Sequence, residues 1–163
     1  MISEACRIHV ARAACIVATL FAGCASGTHD CGIWGGRVTA VLDGDTVVID
    51  DSWTVRLLGI DAPETGCCWS SRSRAAADAL LMDKYVELEF TSRCTDDYGR
   101  LLAHLIVEGR CASEYLASRG HACAWILQED DGRAEEIRIA ARRAASIGLG
   151  FWGACAEVSC RSR

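Results

Sequence analysis

Asp45, Arg56, Asp61, Glu64 and Arg100 are of types that together could handle a metal ion and a phosphate ester. Carboxylates such as Asp45 and Asp61, completed by a backbone carbonyl and water, are the hard oxygen donors that suit Ca²⁺ or a similar divalent cation. Glu64 follows Asp61 by three positions and so points into the same neighbourhood, where it could take a proton from a water. Arg56 lies within the apolar run Thr54-Val55-Arg56-Leu57-Leu58, where an unpaired guanidinium is costly unless it faces a partner or a ligand. Arg100 comes directly after Asp97-Tyr98-Gly99, a turn that would present it at the rim of a sheet. Guanidinium forks grip two phosphate oxygens at once, which Lys cannot do. Each residue also has a plainer reading. Alone, Asp43-Gly44-Asp45 is a turn, Asp61-Ala62-Pro63 is a strand stop, and the arginines are structural partners of nearby acids such as Asp61 or Glu64.

Asp45 and Asp61 are sixteen positions apart, so only a fold can bring them together. Runs rich in Val, Ile, Leu and Thr predict strands at 37–42, 46–50 and 53–58, separated by turn residues, and therefore a three-stranded meander. If the second turn is centred on Asp51-Ser52, Asp45 lies opposite Leu58 or Gly59, with Asp61 two or three residues further on. A helix is predicted over 73–83, with Ser70, Ser71 and Ser73 as candidate N-caps. Strands follow at 86–90 and 101–107, a short helix at 112–119 stopping at Gly120, and a longer one at 132–146. On that last helix Ile137, Ala140, Ala141 and Ala144 share one stripe, with Arg138, Arg142 and Arg143 mostly outside it. The order β-β-β-α-β-β-α-α reads as an α+β protein: a five-stranded OB-fold barrel with about three helices.

Composition bounds the rest. The 163 residues are 51% hydrophobic and 24% charged, which is material for one domain and excludes a disordered chain. Lys and Arg number 17 against 22 Asp and Glu, so any phosphate binding must be local rather than a uniformly basic coat. Residues 13–22 carry no charge and are preceded by Arg7 and Arg12, as in a secretory signal peptide. Phe21-Ala22-Gly23-Cys24 resembles a bacterial lipobox, which would make Cys24 the lipid-bearing first residue of the mature chain. The expected division is 1–23 signal peptide, 24–35 lipidated Cys24 and tether, 36–153 domain, and 154–163 a short Cys-containing tail. Cys31, Cys67, Cys68, Cys94, Cys111, Cys123, Cys155 and Cys160 then sit in an oxidising envelope compartment, where four disulfides and no free thiol are expected. A zinc site is disfavoured, because no C-x-x-C occurs.

Asp43-Gly44-Asp45-Thr46, the run from Val55 through Arg56, Asp61 and Glu64 to Thr65, Asp97-Tyr98-Gly99-Arg100, and the run from Gly148 to Trp152 resemble the thermonuclease, or staphylococcal-nuclease-like, family. Four motifs in one order at compatible spacings are specific. The resemblance covers about 36–153 and implies an OB-fold phosphodiesterase, Ca²⁺-dependent, acting on DNA, RNA or both and leaving a 3′-phosphate and a 5′-hydroxyl. By position, Asp45 and Asp61 would ligate Ca²⁺ by side chain and Ala62 by its carbonyl, with Asp43 in the outer shell. Arg56, Glu64 and Arg100 would be catalytic, with Glu64 either general base or water-positioner, and Tyr98 would touch the substrate. The chain departs from the family in the short loop after Glu64, in Asp97 where a basic residue can hold phosphate, and in Ile126 where an aromatic can stack a base. Trp125 could substitute for that aromatic, but core packing is the expectation for both Trp125 and Trp152.

The implied molecule is a nuclease of the cell envelope, periplasmic or on the outer membrane, that touches the membrane only through its lipid. It is expected to be a monomer with no protein partner. An inactive barrel that binds nucleic acid or protein is the alternative, and a disulfide-stapled structural lipoprotein is a third reading. Degenerate members lose acidic or arginine positions, whereas all five are present here, which favours the enzyme.

Overall fold

The structure is a computed structural model that describes residues 31–127, 131–158 and 160. The expected signal peptide, Cys24 and most of the tether lie outside the described residues. Among those described, no helix is long and apolar enough to cross a membrane.

Strands β1 (Gly35–Val41), β2 (Thr46–Ile49) and β3 (Trp53–Leu57) form the antiparallel meander. Their inward residues Val38, Val41, Val47, Ile49, Val55 and Leu57 are all buried. Ile49 pairs with Trp53, so the turn is a three-residue loop centred on Asp51. Asp50 and Asp51 both take the left-handed conformation there, which short polar side chains tolerate. The expected register is corrected by this loop: Asp45 faces Leu57, whose N–H donates to the Asp45 carbonyl at 2.8 Å, rather than Leu58 or Gly59.

β5 (Tyr85–Thr95) pairs antiparallel with β1 and with β6 (Leu101–Val107), and β6 runs parallel to β3. That last pairing, with Val55 beside Leu101 and Leu57 beside Ala103, closes the five strands into a barrel. The expected α+β class and five-stranded OB-fold are what the chain adopts. Three short pieces escape the periodicity reading. β4 (Gly59–Asp61) and β8 (Cys123–Trp125) make a separate antiparallel pair, and β7 (Arg110–Cys111) is a two-residue extension beside β6. Gly59 bends the chain out of the barrel at φ 82°, and a Cβ there would lie 2.4 Å from Ile137 Cδ1.

Helix α1 (Ser70–Leu81) begins three residues before the expected start. Its serines are therefore first-turn residues rather than N-caps. Ser73 instead donates to the His121 carbonyl at 2.6 Å, tying α1 to the approach to β8. Helix α2 (Ala112–Ser118) stops before Gly120 at φ 67°, and α3 (Ala134–Ser146) buries Ile137, Ala140, Ala141 and Ala144 as the stripe predicts. The four-residue α4 (Phe151–Ala154) closes the domain with a buried Phe151. The core runs continuously from the barrel through Leu81 on α1 and Leu116 on α2 to Ile137 on α3.

Among the described residues three disulfides form, Cys31–Cys94, Cys68–Cys155 and Cys123–Cys160, at Cα separations of 5.4, 6.0 and 5.7 Å, within bridging range. The expected fourth is corrected. Cys111 is buried beside His104, Cys67 is exposed, and both are free thiols. Each bridge closes a long loop and on chain entropy alone would contribute about 4 kcal/mol, although nested loops do not add in full.

Candidate functional site

The turn Asp43-Gly44-Asp45 joins β1 to β2 and is held by its own carboxylates. Asp43 Oδ1 accepts the Asp45 N–H at 2.9 Å, and Asp45 Oδ1 accepts the Thr46 hydroxyl at 3.1 Å. Asp45 Oδ2 reaches across to the Ala62 N–H at 2.6 Å, joining this turn to the end of β4. Close approach is required there, since a Cβ on Gly44 would lie 2.6 Å from Ala62 Cβ and 2.8 Å from Ser73 Cβ. Asp61 ends β4 and Glu64 follows Pro63 on the exposed loop.

Arg56 is the hub. It is 5% exposed, and its Nη1 donates to the carbonyls of Leu57 and Ile60, both at 2.9 Å. Its Nη2 lies 3.1 Å from Asp45 Oδ2 and 3.2 Å from Asp61 Oδ1, so both acids converge on one nitrogen. The sequence left Asp61 or Glu64 as alternative ion-pair partners; Asp61 is one, and Asp45 is the other. The guanidinium carbon sits 5.6 Å from the Trp125 ring centroid.

Arg100 approaches from the start of β6. Asp96 anchors it twice, through Nε at 2.7 Å and through the backbone N–H at 3.0 Å. Burial works against ionisation of Asp96, but the Arg100 bonds and the Tyr98 N–H hold its carboxyl below the usual range. Tyr98 is 86% exposed, with the Arg100 guanidinium 5.5 Å from its ring centroid.

All eight residues singled out within the described chain, Asp43, Asp45, Arg56, Asp61, Ala62, Glu64, Tyr98 and Arg100, line one cavity of about 620 Å³. Cys24, the ninth, lies outside the described residues. Arg93, Asp96, Asp97 and Trp125 line the same cavity. The resemblance marks Asp97 as a departure at a phosphate-holding position and Trp125 as a possible stacking substitute, whereas Arg93 and Asp96 were not placed there by sequence reasoning. Asp96 carried a faint signal, an acid four positions before Arg100. Arg93 carried none, because its direction depends on a strand bulge, and the choice between core and substrate site for Trp125 depends on the β4–β8 pair. Trp125 is corrected from core to cavity wall, while Trp152 stacks beside Phe151 with ring centroids 4.6 Å apart.

Among the described residues, six carboxylates and three arginines face this cavity, so an anionic substrate meets an excess of negative charge until a cation joins it. Burial pushes the Asp45 carboxyl up to about 7, even with Arg56 and the Ala62 N–H pulling it down and Asp43 pushing further up. A divalent cation would favour the charged form of such a group. The described lining contains no His or Cys, and its anionic donors are carboxylate oxygens, which fit a hard cation rather than zinc. Among the described residues no cluster of three or more His, Cys, Asp or Glu could hold an ion by itself, so backbone oxygens and water must complete any shell.

Residues 54–154 match the model of the family described as "Staphylococcal nuclease homologue". The chain is similar to a thermonuclease of Staphylococcus hyicus, 29% identical over 125 residues, covering 71% of this chain and 74% of that protein. A thermonuclease of Staphylococcus intermedius is 32% identical over 124 residues with the same shares. Endonuclease YncB of Bacillus subtilis (strain 168) is 30% identical over 131 residues, which cover 74% of this chain and 62% of that protein.

Proposed function

We propose, from the premise that this chain belongs to the Staphylococcal nuclease homologue family, that it is a metal-dependent endonuclease hydrolysing phosphodiester bonds of DNA, RNA or both. The relatives named as thermonuclease and endonuclease support the reaction class. The observation that carries the reading is the convergence of Asp45 and Asp61 on Arg56, in a cavity shared with Glu64 and Arg100.

Ca²⁺ is the proposed cation, held by the Asp45 and Asp61 carboxylates and the Ala62 carbonyl with Asp43 further out, and it would supply Lewis-acid charge at the phosphate. Arg56, locked by two carbonyls, stabilises the extra negative charge of the transition state without having to reorganise. Arg100, held in place by Asp96, grips the phosphate from the other wall. Glu64, on the exposed loop, either takes the proton from the attacking water or positions that water. Tyr98 packs against the substrate at the rim.

Export and lipid anchoring through Cys24, with the protein acting as a monomer, complete the proposal. Three disulfides in one small domain support an oxidising compartment. Anchoring predicts that the protein partitions into the detergent phase and that Cys24→Ser abolishes this; unchanged partition would refute it.

The nuclease reading is tested by digesting single-stranded DNA with the disulfide-bonded protein, first with Ca²⁺ and then with excess chelator. Cleavage that vanishes on chelation is the expected result. A folded sample that binds the strand without cutting it would move the reading to the inactive binding barrel.

A further inference from the structure

The ladder between β5 and β6 loses register in one place. Phe90 pairs with Ala103, yet the next pair is Thr95 with Leu101, so four residues of β5 stand against one of β6. Bulges of this kind re-aim side chains beside active sites. Arg93 lies inside the bulge and faces the cavity, and the neighbouring Cys94 is stapled to Cys31. The Arg93 side chain is half exposed, at 53%; its Nε donates to the Thr95 carbonyl at 2.7 Å, and its Nη2 pairs at 2.5 Å with Asp97, whose side chain is 89% exposed.

The neighbouring pair shows the contrast. Arg100 and Asp96, at 33% and 14% exposure, are an anchored unit with a doubly bonded carboxylate. An ion pair as open to solvent as Arg93 and Asp97 contributes little and exchanges readily for another anion. A bidentate phosphate is the natural competitor for such a fork.

We infer that Arg93 is a second phosphate-binding position, at the outer end of the cleft, which takes the phosphodiester flanking the scissile one, and that Asp97 is its resident competitor. Asp97 pairs with Arg93 and yields it to a strand carrying more than one phosphate. The inference rests on the nuclease reading and sharpens it: the preferred substrate is an oligonucleotide rather than a single phosphodiester.

Steady-state kinetics with Ca²⁺ on a tetranucleotide and on a dinucleoside monophosphate, which carries only the scissile phosphate, test it. Arg93→Ala should raise KM roughly tenfold on the tetranucleotide with a much smaller penalty on the shorter substrate, and Arg93→Lys should recover part of the loss. Asp97→Asn should lower KM for the tetranucleotide only while Arg93 is present. Equal penalties on both substrates would mean a structural role for Arg93, and no penalty on either would mean none at the site; either overturns the inference. Anisotropy of a labelled tetranucleotide reads binding without turnover. A wild type that fails to cut therefore sinks the nuclease reading alone, and the phosphate position is still decided by whether Arg93→Ala weakens the complex.

Discussion

Arg56 and Glu64 differ in how much of the fold depends on them. Arg56 is buried and holds two carbonyls and two carboxylates, so removing it would take the shared cation away from Asp45 and Asp61 and leave two buried carbonyls without their donor. Its loss in activity could not be separated from its loss in stability. Glu64 lies on an exposed loop, and its substitution should cost the fold little. Glu64→Gln is therefore expected to lower kcat by about 10²–10⁴-fold, with an unchanged circular dichroism spectrum and melting temperature. Near-normal turnover would remove Glu64 from proton transfer. The types of these residues and their spacing were legible in the sequence, as was the likelihood that Arg56, in an apolar run, must face something. Its double partnership was not, because it depends on which residue of β4 returns beside the β1–β2 turn.

Between elements, a charged pair lies in the core. His104 on β6 and Asp131, just before α3, are 3% and 6% exposed and meet at 2.8 Å, with Cys111 Sγ 4.0 Å from the other ring nitrogen. Burial pulls the His104 pKa down, but the Asp131 hydrogen bond and charge, with Cys111, push it up to about 9. Asp131 is correspondingly held low: burial opposes this, and its bonds to His104 and the Arg133 N–H prevail. A folded pKa above the unfolded value of about 6.5 means a contribution fully present below pH 6.5 and lost as pH rises through 9. The unfolding free energy from denaturant titrations should accordingly fall by on the order of a few kcal/mol between those limits, and Asp131→Asn should flatten that part of the profile. A wild-type profile already flat there would remove the pair from the stability of the fold. The pair fastens the start of α3, which packs on β4 and β8, the strands carrying Asp61 and Trp125. Long alternating or apolar runs announced β5 and β6, and a stripe announced α3. The three-residue strands β4 and β8 are too short for any period to show, and each exists only because the other supplies its hydrogen bonds.

Over the whole molecule, the sulfurs report on how the domain is tied. Cys31–Cys94 ties the residues before β1 to the β5 bulge, Cys68–Cys155 ties the loop before α1 to the end of α4, and Cys123–Cys160 holds the C-terminal end to β8. Alkylation of the described domain without reductant should label one cysteine in the native state, Cys67, and a second, Cys111, only after denaturation. Complete protection in denaturant would restore the four-bridge expectation. The sequence by itself determined the class of barrel, the residue types of the site and the order of its motifs, because strand and helix periodicity and short motifs such as Asp97-Tyr98-Gly99-Arg100 are local properties. Tertiary structure alone decided the Asp45 register, the three cysteine pairings, the place of Trp125 and the outward turn of Arg93. The physical reason is the same in each case. A one-residue shift in a strand reverses which face every side chain takes, and such shifts are set by barrel closure and bulges, which join residues far apart in the chain.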